Sequence, residues 1–250
     1  MDTKHIHQPT IGQSQFLIPT RSQETELLDA GVGTMDDVRQ NLAEMWYMNK
    51  LFGGVRAVTR RLYTRLLKSS TQATILELGT GSGRLGRDIS TWAIQHQRDV
   101  RLILLDISSR HLKVANDTVA TQSDTTLIQA DATQLPFATR KVDYVVSSLF
   151  LHHFDPIPLT RLLAQLHQSV TGTIIMSDIT RSHLSLLGFR MVQPLLARHY
   201  LTKHDGLLSI RRAYTPSELR QIAQDAGMKN ARVYQNYPWQ MTLVSEQSHV

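Results

Sequence analysis

The chain has 250 residues, 41% apolar and 19% charged, with no cysteine, a formal net charge of +6 and a pI near 9.7. Those proportions exclude wholesale disorder, and the length holds one large domain or one of roughly 170 to 180 residues with an extension. Without cysteine there are no disulfides, no cysteine-ligated zinc and no thiolate nucleophile, while the basic balance keeps nucleic acid in view as a partner.

Residues 1 to 20 are polar and unpatterned and are expected to be mobile; their start shows no apolar signal-peptide core. Thr34 followed by Asp37 forms a capping-box pattern that opens a helix toward Asn49. Gly53-Gly54 interrupts it, and a second helical pattern runs to Leu67. That second helix carries Arg56, Arg60, Arg61, Arg65 and Lys68 with Leu62, Leu66 and Leu67 between them, so it reads as an amphipathic helix with a solvated basic face rather than a nucleic-acid patch. Beyond residue 70 strands and helices alternate. Thr74–Leu78, Leu102–Leu105, Leu127–Gln129, Val142–Ser147 and Thr173–Met176 read as strands one to five. Between them Leu85, Ile89, Trp92 and Ala93, then Leu112, Ala115 and Val119, repeat at helical spacing. Asp155-Pro156 supplies an N-cap and a proline at the first helical position for a helix carrying Leu159, Leu162, Leu163, Leu166 and Val170. A leucine-, histidine- and arginine-rich insert fills residues 180 to 213. Its longest apolar run, Leu184–Phe189, is followed at once by Arg190, so no transmembrane segment is expected and the protein reads as cytoplasmic. Thr215-Pro216-Ser217-Glu218 opens another helix, and Ala231–Tyr234 with Gln240–Val244 reads as a closing hairpin.

Such alternation predicts an α/β fold: a Rossmann-like, doubly wound sheet of seven strands, mostly parallel, with an antiparallel C-terminal hairpin and extra N-terminal helices. The expected division is an N-terminal tail and helical cover over 1–69 and a core domain over 70–250. In "ILELGTGSGRLG" (75–86) the glycines lie at the carboxyl edge of strand one, where ligands of such sheets bind. A nucleoside-triphosphate loop would need Gly-Lys-Ser/Thr, and Arg84-Leu85 stands there instead. Gly81, Gly83 and Gly86 satisfy the dinucleotide spacing, and Asp106 stands where a ribose-binding acid belongs, so a nicotinamide-dependent oxidoreductase stays an alternative. Glu77 weighs against it, because a carboxylate at the strand end repels two phosphates and suits a sulfonium and an ammonium. Asp131, in "QADATQLPF", is a third acid at this edge, suited to an adenine amino group.

Four segments in register, "LELGTGSG", "LLDIS", "QADATQLPF" and "VDYVVSSLFLHHF", resemble successive motifs of class I S-adenosylmethionine-dependent methyltransferases. The similarity is closest to the small-molecule branch that includes the ubiquinone/menaquinone biosynthesis methyltransferases, and it covers roughly residues 70 to 180. It implies S-adenosyl-L-methionine as cofactor, with Glu77, Gly79, Gly81 and Gly83 around its methionine end. Asp106 would hold the ribose with Ile107 beside it, Asp131 and the backbone of Ala132 would read adenine, and Ser147 and Ser148 would lie near the methyl. "MNKLFGGVRAV" and "HDGLLSIRRAYTPSEL" are similar to segments of bacterial methyltransferases associated with polyketide or quinone-type secondary metabolism.

Methyl transfer needs alignment, exclusion of water and, for a hydroxyl or acidic carbon, a base. His152 and His153, just past strand four, are the candidate catalytic residues; Tyr47, His204, Arg211 and Tyr214 are candidates for touching the acceptor, and no metal is expected. None of the tyrosines has lysine four residues on, which removes a short-chain reductase, and Ser-Leu-Phe-Leu-His-His replaces the Asn-Pro-Pro-aromatic element of nucleic-acid amino-methyltransferases. The expected acceptor is a small aromatic or lipophilic molecule, methylated on oxygen in preference to carbon. An RNA-modifying methyltransferase is the other alternative. The apolar, glycine-broken segments Met45–Val55 and Leu184–Ser209 are expected to cover the site as a lid or as plain packing helices.

Overall fold

A computed structural model describes residues 18–69, 72–135 and 142–247, so most of the polar start lies outside the described residues. Two N-terminal helices come first, α1 (Met35–Leu51) and α2 (Gly54–Leu66). The alternating part follows as β1 (Ala73–Leu78), α3 (Arg84–Gln95), β2 (Val100–Asp106), α4 (Ser109–Val119), β3 (Thr125–Gln129), β4 (Val142–Ser148), α5 (Pro156–Ser169) and β5 (Val170–Ile179). The insert is two helices, α6 (His183–Leu196) and α7 (Tyr200–Arg212). The chain closes with α8 (Pro216–Asp225), β6 (Arg232–Asn236) and β7 (Gln240–Glu246).

Local sequence chemistry sets most of these boundaries. Both expected capping boxes form: Thr34 Oγ1 accepts from Asp37 N–H while Asp37 accepts from Thr34 N–H, and Thr215 and Glu218 repeat the pattern. Asp155 precedes α5 as expected, but its side chain makes no cap and instead pairs with Arg21 at 2.8 Å. β5 runs well beyond the expected Thr173–Met176, because it is paired along its length with β4 on one side and β7 on the other.

The seven strands stand in the order β3-β2-β1-β4-β5-β7-β6. β1 is parallel to both β2 and β4, so the order reverses beside it, and the glycine loop opens at that switch point. β7 is antiparallel to β5 and to β6, the expected closing hairpin. Successive strand residues face opposite sides. Leu76 and Leu78 join Leu162, Leu166 and Leu219 in the core under α5 and α8. Ala73 and Ile75 face the other way, onto Val58, Leu62, Leu66 and Ile89, so α2 is part of the packing of the sheet itself. A third cluster, Met48, Phe189, Ala197 and Ile210, joins α1, α6 and α7 into a layer. Among the described residues no helix is long and apolar enough to cross a membrane.

Candidate cofactor and acceptor site

The loop after β1 depends on glycine conformations. Gly79 has φ +65°, and a Cβ there would stand 2.3 Å from Phe150 Cδ2; Gly83, at φ +71°, starts α3 with no room before Ala115. Gly81 N–H donates to Asp106 Oδ2 at 2.8 Å and Ser108 N–H donates to Oδ1 at 2.9 Å, so the last residue of β2 ties the loop down. His111 Nδ1 lies 3.3 Å from the same carboxylate. Burial would raise the pKa of Asp106, but His111 and the two amides outweigh it and hold the carboxyl below its ordinary range. Each oxygen keeps acceptor capacity for a ribose hydroxyl.

A cavity of about 680 Å³ opens beyond this loop, lined by Gly79, Gly81, Asp106, Ile107, Asp131 and Ala132. Ser148, His152 and His153 line it too, so strands that are far apart in sequence bring nine of the expected contacts to one space. Asp131 Oδ1 accepts from Thr133 N–H and Oγ1–H, both at 2.8 Å, which leaves Oδ2 for a ligand donor.

Glu77, Gly83 and Ser147 are not among the lining residues. Strand alternation puts Glu77 on the face of Ala73 and Ile75, beneath the first turn of α3, where a Cβ on Gly86 would meet its Oε2 at 3.0 Å. Glu77, expected around the methionine end of the cofactor, is therefore buried beside the cavity rather than on its wall. Its Oε2 has no hydrogen-bond partner among the described residues, and burial pushes its pKa up to about 8. Ser147 is wholly buried, its hydroxyl likewise unpartnered.

The two histidines differ in kind. His152 is 1% exposed, with Nδ1 2.8 Å from Asp178 Oδ1 and Nε2 3.4 Å from Glu26 Oε1. Burial alone would lower its pKa, but Asp178 and then Glu26 outweigh burial and push it up to about 10. Burial would raise Glu26, yet the neighbouring His153 and His152 bring it down to about 2. Both nitrogens of His152 are therefore committed to carboxylates, an arrangement that suits a positioning residue better than a general base. His153 is half-buried, with one nitrogen, Nδ1, held by Asp29 at 2.7 Å, so its other nitrogen is the one open to an acceptor. A ring nitrogen of each histidine and a Glu26 oxygen lie within 4.8 Å of one another, a spacing that could hold a metal ion, although ion pairing already satisfies His152 and Glu26.

The four residues expected to touch the acceptor stand elsewhere. Tyr47 is 56% exposed on the outer side of α1, and His204 pairs with Asp205 at the surface. Tyr214 is a core residue whose hydroxyl donates to Phe154 O. Arg211 is exposed, whereas Arg212 turns inward and spends its guanidinium on the carbonyls of His152, Glu24 and His153. What lines the cavity instead is the inner face of α1, Asn41, Leu42, Met45, Trp46 and Asn49, together with Glu26 and Asp29. The α1 residues follow helical spacing that could have singled them out. Glu26 and Asp29 carry no such signal, because they sit in an irregular strap over 18–34. Hydrogen bonds hold that strap in place: Leu27 and Leu28 N–H donate to the Asp205 carboxylate at 2.9 and 3.1 Å, and Ser209 Oγ donates to Glu26 at 2.7 Å.

Residues 75–172 match the family model described as a methyltransferase domain. That stretch runs from the strand before the glycine loop into β5 and carries Asp106 and Asp131, both on the wall of the switch-point cavity. Among curated proteins it is similar to the biotin biosynthesis bifunctional protein BioHC of Cellvibrio japonicus (strain Ueda107), at 26% identity over 174 residues, 70% of this chain and 31% of that one. The fold is shared with the CurJ carbon methyltransferase, with a TM-score of 0.59 at 16% identity over 80% of this chain and 55% of that chain. It is also shared with an O-methyltransferase family 2 protein from Planctomyces limnophilus in complex with apigenin, at TM-score 0.58 and 19% identity, covering 87% and 62%. The chain thus spans about a third of the curated relative and a little over half of these two structures.

Proposed function

We propose that the protein transfers the methyl group of S-adenosylmethionine to a small aromatic or lipophilic acceptor, on oxygen in preference to carbon, in quinone- or polyketide-type secondary metabolism. The observation that carries this reading is one cavity holding Asp106, Asp131 and the glycine loop at one end and His153 and Ser148 at the other. When bound, the cofactor supplies an already activated methyl group. Asp106 and Asp131 orient it. Asp29 holds one nitrogen of His153, so that the other would take the proton from the acceptor hydroxyl. His152, fixed between Asp178 and Glu26, is a positioning residue, and Arg212 braces both histidine carbonyls. An RNA acceptor is the weaker reading, because Arg56, Arg60, Arg61 and Arg65 line a separate cleft beside Tyr234.

S-adenosylhomocysteine is expected to raise the melting temperature while NAD and NADP leave it unchanged. Stabilisation by a nicotinamide dinucleotide alone would overturn the reading. His153→Ala is expected to keep S-adenosylhomocysteine affinity and slow methyl transfer to a phenolic acceptor by roughly 10²- to 10⁴-fold. Unchanged turnover would remove His153 as the base.

A further inference from the structure

The cofactor cavity does not end at the histidines. A narrower chamber, about 50 Å³ against about 680 Å³, adjoins it and shares Met45, Asn49, Leu149 and Ser209 as lining residues. Its walls are almost wholly apolar. Met48 and Phe52 come from α1 and the residue after it, Phe189 from α6, Ile210 from α7, and Ile179 and Trp239 from the edge of the sheet.

Two observations separate this chamber from an ordinary packing gap. Leu149, at the junction of the two spaces, holds φ +57°, a left-handed conformation that a leucine adopts only at a cost, and its N–H donates to Ser177 O at 2.9 Å. Strain of this kind concentrates where a ligand must be met. The walls also have give where it is needed, since Met45 and Met48 are unbranched, flexible side chains that can swing aside for an incoming group.

We propose that the acceptor is elongated: its methylated hydroxyl lies beside His153 and Ser148, and an apolar alkyl or acyl tail passes Leu149 into the chamber under α6 and α7. This inference rests on the methyl-transfer reading and names the substrate class for it. A compact aromatic acceptor would leave the chamber unused, whereas each methylene of a tail moved from water into it adds binding. The polar end keeps its orientation because only the tail fits between Met48, Phe189 and Ile210.

The test is a series of 4-n-alkylphenols from ethyl to octyl, with affinity measured by calorimetry on the whole protein, with and without saturating S-adenosylhomocysteine. Affinity should rise about three- to fourfold per methylene over the first carbons and then flatten as the chamber fills. Met48→Phe, which narrows the chamber without touching the cofactor cavity, should bring the flattening to shorter chains, and Met48→Ala should move it to longer ones. Affinity for S-adenosylhomocysteine, measured alongside, reports that each variant is folded. A series flat with chain length overturns the chamber proposal even if no variant folds, as does a rise that the Met48 variants leave unmoved. Failure to bind S-adenosylhomocysteine would instead bring down the methyl-transfer reading, and the series without it still tests the chamber.

Discussion

Asp106 does two jobs with one carboxylate: it tethers Gly81 and Ser108, and it faces the cavity where a ribose would lie. Asp106→Ala is expected to cost about 1.5 to 3 kcal/mol in S-adenosylhomocysteine binding, the range for charge-assisted hydrogen bonds. An unchanged dissociation constant would show that the ribose lies elsewhere. The residue scale also separates the two histidines, which look equivalent in "LFLHHF". One is enclosed by Asp178 and Glu26 and keeps its proton, while the other keeps a free nitrogen at the cavity wall. Their rings lie only 4.3 Å apart in a 3-10 turn, so only the surroundings decide which becomes a base.

At the scale of elements, the cover over the site has three parts. α1 contributes the wall carrying Asn41, Met45 and Asn49, and α7 contributes Asp205 and Ser209. The strap over 18–34 crosses between them, tied at Asp205, Glu26 and, further on, by the Arg110 guanidinium to Gly31 O at 2.7 Å. The strap has no regular secondary structure and pairs with no strand of the sheet, and such segments open more readily than core strands. In the free protein the amides of Leu27 and Leu28 are expected to exchange hydrogen faster than those of β1, and to slow when S-adenosylhomocysteine and a phenol are bound. Protection equal to that of β1 before any ligand is added would make strap and helices a fixed scaffold.

Over the whole molecule, three buried groups set how stability depends on pH. Glu26, lowered from 4.5 to about 2, contributes stability above pH 4.5 that is lost as pH falls through 2. His152, raised from 6.5 to about 10, contributes stability that is full below pH 6.5 and lost as pH rises through 10. Glu77, raised from 4.5 to about 8, acts in the same sense between those two values, because its buried carboxyl folds best protonated. The protein is therefore expected to be most stable near about pH 4.5, far from its pI, as urea titrations across pH would show. Glu77→Gln should flatten the decline between pH 4.5 and 8. His152→Asn should remove the slope from about 8 to 10 and lessen it from 6.5 to 8, and a wild-type curve already flat from 8 to 10 would mean that His152 is neutral.

Sequence alone determined the architecture, because period-two strands, helical spacing and capping boxes such as Thr34–Asp37 are local signals that packing then obeyed. It also placed Gly79, Gly81, Asp106 and Asp131 together, since they follow strand ends that a parallel sheet must bring to one edge. Tertiary structure decided the rest. Glu77 lies under α3 because a strand sends alternate residues to opposite faces, and no motif records which face meets the ligand. The wall from α1 and the carboxylates Glu26, Asp29 and Asp178 come from segments distant in the chain, and their partnership exists only once the strap, α7 and β5 are packed around His152 and His153. Charge states at the site follow from that packing, since desolvation and opposing charges act through space rather than along the sequence.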